Sequence, residues 1–221
     1  MRNANLRATG VAVRAMIVFT VVLGIGYMLL VTAIGQVTMP WQSNGSPVQD
    51  ADGTVVGSSL IGQSFTVPTP VPRTADAPRG ASGRMGPADG DPLPEWFQSR
   101  PSAAGDGYDG GASSGTNQGP ENADLIAAID ERKTAISELD DVDPADIPAD
   151  AVTASASGLD PDISPAYALL QVERVAKARG LRAADVRELV ESRIQARDAG
   201  YLGEPRVNVL ELNLALEALQ G

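Results

Sequence analysis

The feature that most constrains this chain is a run of 25 uncharged, mostly apolar residues between Arg14 and Pro40. A helix rising 1.5 Å per residue crosses a hydrocarbon core of about 30 Å with roughly 20 apolar residues, and it satisfies its own backbone polar groups. The run therefore predicts a retained transmembrane helix over residues 15–39. The alternative is a cleaved signal peptide, whose apolar stretch is only about 7–15 residues and ends in a small-residue cleavage motif. Here the run is longer, and no such motif closes it.

The distribution of charge predicts which side of the membrane each end occupies. The charged residues that precede the run are Arg2, Arg7 and Arg14. Beyond them the chain carries 14 Lys and Arg (17 in total, less these three) against 28 Asp and Glu. Because basic residues flank the cytoplasmic end of a membrane helix, residues 1–14 are expected in the cytoplasm. Residues 40–221 are then expected to form an extracytoplasmic domain of a single-pass protein in the cell membrane.

Composition excludes several classes of function. The chain has no His and no Cys, which rules out Ser-His-Asp catalysis, Cys nucleophiles, zinc fingers and iron–sulfur sites. A net charge of −11 and an aromatic content of 4% argue against a nucleic acid as partner. An independent hydrolase using the serines of TASASG would need Lys133 or Lys177 as its base. No phosphate-binding GxxxxGK[ST] pattern is present.

After residue 40 the sequence becomes mixed in character. Residues 53–65 are β-prone and punctuated by glycine, which predicts a strand or hairpin. In residues 66–95, Pro and Gly make up 11 of 30 residues. This stretch has too little apolar surface to offset its ordering entropy, so it is expected to be a surface or disordered insertion. Residues 105–120, rich in Gly, Ser and Asn, are predicted to form irregular turns.

Three capping residues predict where the helices of the second half begin. Asn122, Ser164 and Asn208 each precede apolar residues spaced three to four apart, and a proline follows Ser164, as suits a first helical turn. The stretch 143–150 interrupts the first helix, and Gly180 ends the second. The predicted fold class is α+β, with one N-terminal transmembrane helix followed by a small mixed α+β domain whose C-terminal half is helical.

Polar side chains concentrate in the segment between these helices. The acidic pair Asp160 and Asp162, with Ser155 and Ser157 nearby, could form a cation or partner site. The D-P-D spacing lacks the further oxygen ligands of a calcium loop. Asp in turns also caps backbone N–H groups through its own side chain, so a purely structural role stays open.

Several motifs in register resemble those of one known family. They are VTASASGLDPDISPAYALLQVERVAKARGL (Val152–Leu181), LGEPRVNVLELNLAL (Leu202–Leu216), PWQSNGS, VVGSSLIGQSF, RPSA (Arg100–Ala103) and SSGTNQGP (Ser113–Pro120). This set closely resembles the C subunit (KdpC family) of the Kdp-type potassium-transporting ATPase and covers nearly the whole chain. The departure is the Pro/Gly-rich insertion at residues 66–95, where family members pass in a few residues to the W-F…RPSA segment.

The resemblance implies a non-catalytic accessory subunit. In such a complex one membrane subunit conducts potassium, and a P-type ATPase subunit hydrolyses ATP through an aspartyl phosphate. The C subunit stabilises their assembly and influences ion entry. ATP, Mg²⁺ and K⁺ then belong to the complex, and no cofactor is assigned to this chain. The expected partners are these two subunits and membrane lipid.

Within that picture, a loop over residues 153–163 is expected to dock on the potassium-conducting subunit. The candidate docking residues in this loop are Thr153, Ser155, Ser157, Asp160 and Asp162. The competing interpretation is a membrane-anchored extracytoplasmic binding module that acts independently of a pump.

Overall fold

The computed structural model describes residues 2–67 and 90–220. Most of the predicted insertion at 66–95 therefore lies outside the described residues. The chain divides into two compact units, Met1–Ser46 and Pro47–Gly221. The second unit combines helices with two small sheets, so the predicted α+β class is confirmed. The extracytoplasmic placement of this unit stays a prediction.

The first unit is almost entirely helical, as the apolar run predicts. Its elements are α1 (Arg2–Phe19), a π-helical stretch (Thr20–Gly26), α2 (Tyr27–Thr38) and the short α3 (Pro40–Ser43). In the described part of the chain, one helix is long and apolar enough to cross a membrane, at Leu6–Thr38. The helical conformation continues N-terminally through Arg14 to Arg2. The membrane boundaries 15–39 stay a prediction.

The second unit begins with the hairpin that the β-prone segment predicts. Strand β1 (Pro47–Gln49) pairs antiparallel with β2 (Val55–Ser58), and the register shifts between Val48 and Gln49. The first strand therefore lies just before the predicted segment. The Asp50 carboxylate shapes the turn by accepting hydrogen bonds from the backbone of Asp52 and Thr54.

The two ends of the predicted insertion lie side by side. Thr66 and Pro92 form an antiparallel bridge, and the Val67 N–H donates to the Asp91 carbonyl over 2.8 Å. Trp96 follows, stacked on Phe65 with ring centroids 5.8 Å apart. Because residues at its two ends are paired, the insertion interrupts the fold of the second unit at a single point.

Three of the helices begin at the predicted capping residues. The side chains of Asn122, Ser164 and Asn208 accept backbone hydrogen bonds of 2.9–3.1 Å from residues two or three positions further on. The elements of this half are α4 (Ala123–Asp140), a 3-10 turn (Pro144–Asp146), α5 (Ala149–Val152), β3 (Asp162–Ile163), α6 (Pro165–Leu170), α7 (Val172–Arg179), α8 (Ala183–Ser192), β4 (Val207–Asn208) and α9 (Val209–Ala218). Strands β3 and β4 pair antiparallel.

The core forms between the last four helices, the two small sheets and the segment around Phe97. The side chains of the core that lie below 2% exposure include Phe97, Val172, Val175, Val186, Val190, Val207, Val209, Leu212 and Leu216. Helix α4 contributes less, since Asp140 is its buried residue and its apolar positions are half-buried or exposed. The described second unit therefore has one core, with α4 at its edge.

Side-chain amides, rather than a neighbouring strand, satisfy the backbone N–H and C=O groups of Phe97 and Gln98. Asn213 exchanges two hydrogen bonds with the backbone of Phe97, at 2.9 and 3.0 Å. Gln171 does the same with Gln98, at 2.6 and 3.2 Å. The sequence predicts one helix from Ser164 to Gly180, but the structure divides it at Gln171. The division lies where the Gln171 side chain reaches across to this segment.

Candidate docking loop

The segment from Thr153 to Ile163 connects α5 to α6 as a tight loop on the surface of the second unit. Its backbone turns at Gly158, which has φ +67°. A Cβ there would lie 2.6 Å from the Ser114 carbonyl oxygen and 2.7 Å from the Ala104 nitrogen. Glycine is thus required at this position both for its backbone conformation and for its close neighbours.

The Arg100 side chain links the two ends of the loop. Its Nη1 forms an ion pair with Asp160 Oδ2 at 2.8 Å. Its Nε and Nη2 also donate to the Thr153 carbonyl, at 3.4 and 3.3 Å. A single guanidinium therefore joins residues at both ends of the loop. Charge-assisted hydrogen bonds of this kind are stronger than neutral ones.

Hydroxyl groups fix the middle of the loop. Ser155 is buried, and its Oγ accepts a 2.9 Å hydrogen bond from the Gly158 N–H. Ser157 is exposed, and its Oγ accepts from the Leu159 N–H at 3.1 Å. Ser102, in the RPSA motif, donates from its Oγ to the Gly158 carbonyl at 2.6 Å. These contacts leave the loop little conformational freedom.

A second segment runs alongside the loop. The Ser114 N–H and the Ser113 Oγ both donate to the Ser157 carbonyl, at 3.0 and 2.9 Å. A Cβ on Gly115 would lie 2.8 Å from the Ala156 carbonyl oxygen. The irregular segment predicted at 105–120 therefore packs its SSGTNQGP motif directly against the loop. The surface formed by the two segments is rich in small side chains.

The two carboxylates of the loop are engaged within the chain. Asp160 Oδ1 accepts from the Asp162 N–H at 3.0 Å, the turn-capping role that Asp commonly takes. Asp162 Oδ2 pairs with Arg206 Nε at 3.2 Å. Burial, and then the charge of Asp160, raises the pKa of Asp162. Both carboxylates therefore stabilise the loop, Asp160 through its ion pair with Arg100 and Asp162 through its ion pair with Arg206.

The five predicted docking residues are thus brought into one loop, but they differ in exposure. Ser157 lies on the surface, whereas Ser155 is buried. Thr153, Asp160 and Asp162 are half-buried. In residues 2–67 and 90–220 no group of three or more Asp and Glu side chains is arranged to hold a metal ion. Contact of the loop with a partner stays a prediction.

Sequence reasoning missed the two arginines. Arg100 lies in the RPSA motif and Arg206 in LGEPRVN, 60 and 44 residues from the carboxylates they pair with. Both motifs contribute to the family resemblance. The position of each arginine within such a motif was therefore the signal in the sequence that could have identified it. The pairing itself depends on tertiary structure and could not be read from spacing.

A cleft of about 480 Å³ lies between the 98–102 segment and one face of α4. Tyr108 and Tyr167 both line it. Burial raises the pKa of each phenol still further above neutral pH. The Tyr108 hydroxyl donates to the Arg100 carbonyl at 2.5 Å and thereby supports the residue that closes the loop.

These features define a class of protein, an α+β domain that follows one candidate transmembrane helix and carries a braced surface loop. The family model described as "KdpC: K+-transporting ATPase, c chain" matches residues 9–218. The chain therefore belongs to the KdpC family.

Curated relatives agree over nearly the full length. The chain is 48% identical over 208 residues to the potassium-transporting ATPase KdpC subunit of Caulobacter vibrioides, with 94% of this chain and 91% of the relative covered. It is 46% identical to the subunit of that name from Methylococcus capsulatus, with 95% and 96% covered. The subunit of that name from Streptomyces coelicolor is also 46% identical, with 93% and 90% covered.

Family membership confirms the resemblance found in the motifs. The chain is a KdpC subunit of a K⁺-transporting ATPase, and its partners are other subunits of that complex. As an accessory subunit it shares in a translocase activity that belongs to the complex.

Proposed function

We propose that this chain is a non-catalytic assembly subunit held in the membrane by the helix at 15–39. Its α+β unit lies outside the cytoplasm, and the 153–163 loop docks on the potassium-conducting subunit. The observation that carries this proposal is the bracing of the loop. Arg100, Ser102 and the 113–115 segment hold its backbone from three sides while Ala156 and Ser157 stay exposed.

Preorganisation of the loop favours binding of a partner. A surface that is already ordered loses little conformational entropy when a partner covers it. Its small side chains allow close approach of a partner. Asp160 and Asp162 are already paired with arginines, so they fix the orientation of the loop. Apolar area buried around it would contribute about 25 cal/mol per Å².

Charge supports the orientation in the membrane. The three arginines before the apolar run favour a cytoplasmic N-terminus. The excess of acid in the following domain would raise the local concentration of cations, which suits a position near the entry of potassium ions. A domain on that side has no access to cytoplasmic ATP, so nucleotide binding is assigned to the ATPase subunit.

Co-purification of the full-length chain from native membranes tests the proposal. We expect two larger membrane proteins, one of them an ATPase, to accompany it. Ala156→Lys adds a long charged side chain at an exposed loop position. It should lower partner recovery at least tenfold. Asp160→Ala should also lower partner recovery, because it removes the ion pair with Arg100 that holds the loop in place.

The matched control is Ala127→Lys, at an exposed position of α4. It should leave partner recovery unchanged. Unchanged recovery with Ala156→Lys and Asp160→Ala would remove the loop from the interface. Recovery of the chain alone would favour the competing function, an anchored binding module for which the 480 Å³ cleft is the natural ligand site.

A further inference from the structure

A projecting arm, residues 195–206, connects the end of α8 to β4. Gln195 and Arg206 exchange two backbone hydrogen bonds at its base, at 2.8 and 3.0 Å. Asp198 and Leu202 exchange two more, both of 2.9 Å, nearer its tip. The arm is therefore a small hairpin with its own backbone pairing.

The tip of the arm exposes two large apolar side chains. Tyr201 is 72% and Leu202 53% exposed. In the described part of the second unit, no other two consecutive residues are both exposed large hydrophobics. Isolated exposed apolar residues are ordinary, but an adjacent pair at a projecting tip is typical of an interaction site.

The backbone of the tip is held in a conformation that presents this pair. Ala199, Gly200 and Gly203 have φ values of +52°, +82° and +74°. The left-handed region is unfavourable for alanine, so surrounding contacts must maintain it. A tip that is ordered before binding loses little entropy when it enters a pocket.

Ion pairs fix the arm and connect it to the docking loop. Arg197 pairs with Glu204 across the arm. Arg206 pairs with Asp162 of the 153–163 loop at 3.2 Å and with Asp198 at 3.6 Å. The arm and the loop therefore share one guanidinium, and a partner that reaches one lies beside the other.

The charges around the tip indicate the chemistry of its partner. The most exposed charged side chains are acidic, with Glu204 at 78% and Asp198 at 71% exposure. Arg197 and Arg206 are less exposed, at 44% and 34%. These charges cancel, because Glu204 pairs with Arg197 and Asp198 with Arg206. The arm therefore lacks the net basic flank that anionic lipid attracts around a membrane-inserting segment. A protein pocket with an apolar floor and a polar rim is complementary.

We propose that Tyr201 and Leu202 anchor this chain in such a pocket on another subunit of the ATPase complex. This inference rests on the proposed function and extends its interface from the 153–163 loop to the arm. Aromatic side chains dominate the binding energy of interfaces when they fill desolvated pockets. The tyrosine hydroxyl can meanwhile reach the polar rim.

A single-cysteine label tests the proposal, because the chain has no native cysteine. Leu202→Cys in the full-length chain is labelled with a small environment-sensitive fluorophore. Emission and quenching by iodide are measured on labelled chain recovered with its partners and on the chain alone in lipid nanodiscs. We expect a blue shift and at least fivefold weaker quenching in the complex only. Ile126→Cys, at an exposed position of α4, is the control and should be quenched equally in both.

The outcomes separate this inference from the proposed function. Protection in nanodiscs without partners would assign the tip to lipid and overturn the inference, as would strong quenching in both samples. The double variant Tyr201→Ser/Leu202→Ser should also lower partner recovery at least tenfold, and full recovery would contradict the anchor. If the tip is protected while Ala156→Lys retains its partners, the loop proposal fails and the anchor stands.

Discussion

At Gly158 the 153–163 loop turns through a left-handed conformation with backbone atoms of two other segments beside it. Gly158→Ala places a methyl group against the Ser114 carbonyl and the Ala104 amide, neither of which can rotate away. We expect a loss of about 2–3 kcal/mol in the free energy of unfolding. Denaturant titration of the full-length chain in detergent, followed by Trp96 fluorescence in a Trp41→Phe background, measures it.

Gly119→Ala is the matched control, since a Cβ there has nothing within 4 Å. It should change the free energy of unfolding by less than about 0.5 kcal/mol. Equal stability of the two variants would show that the loop is not packed as described.

Asp162 is predicted to make stability depend on pH. Its pKa is raised by burial and by the charge of Asp160. The folded state therefore holds this proton more tightly than the unfolded state, in which the pKa is about 3.9. Its contribution is present below that value and is lost as pH rises through the raised pKa.

Comparison with Asp162→Asn isolates this effect. Unfolding free energies of both proteins are measured from pH 3.5 to 7. The wild type should lose stability relative to the variant as pH rises, and the difference should level off once Asp162 is ionised. A constant difference, or a relative gain by the wild type, would contradict the assigned pKa direction.

Single residues show where prediction from sequence succeeds. Asn122, Ser164 and Asn208 were identified as helix caps because capping depends on the next two or three residues. Arg100 and Arg206 were not identified because their partners are distant in sequence. The exposure of Ser157 and the burial of Ser155, two positions away, likewise depend on the 102–115 segment that packs across the loop.

At the scale of secondary-structure elements, the Arg174 side chain of α7 links that helix to α4 and to the segment before Phe97. It pairs with buried Asp140 at 2.7 Å and donates to the carbonyls of Pro94 and Trp96 at 2.6 and 2.9 Å. Burial raises the pKa of Asp140, and the charge of Arg174 opposes that rise. Arg174→Met leaves a buried carboxylate without its cation, so we expect a loss of about 3–5 kcal/mol in unfolding free energy.

The double variant Arg174→Met/Asp140→Leu should recover much of that loss, because it removes both buried charges. Arg182→Met, which breaks the exposed pair with Asp185, should have no measurable effect. Urea denaturation of full-length chains in detergent compares the three. Equal effects of Arg174→Met and Arg182→Met would contradict the structural role of the buried pair.

Elements were predicted where a local pattern defines them. The hairpin, the helical second half and the stop at Gly180 all follow from turn and cap residues. The division at Gln171 and the π-helical turn at Thr20–Gly26 were not predicted. At Gln171 the side chain bonds to a segment 73 residues away. The elements therefore follow from local patterns, whereas the division at Gln171 depends on a tertiary contact.

At the scale of the whole molecule, the chain divides into two units of different character. The helical first unit offers one candidate membrane span, and the α+β unit carries the braced loop and the arm. Membership of the KdpC family places the chain in a potassium-transporting ATPase. The predicted insertion begins and ends at paired positions, so it adds chain at one point of the second unit.

Topology tests the central claim most directly, since the proposed function has the α+β unit outside the cytoplasm. Two single-cysteine variants of the full-length chain, Gly119→Cys and Asn5→Cys, are treated with a membrane-impermeant maleimide in right-side-out vesicles. Gly119→Cys should be labelled in sealed vesicles, and Asn5→Cys only after detergent is added. The reverse pattern would place the domain in the cytoplasm and contradict the account.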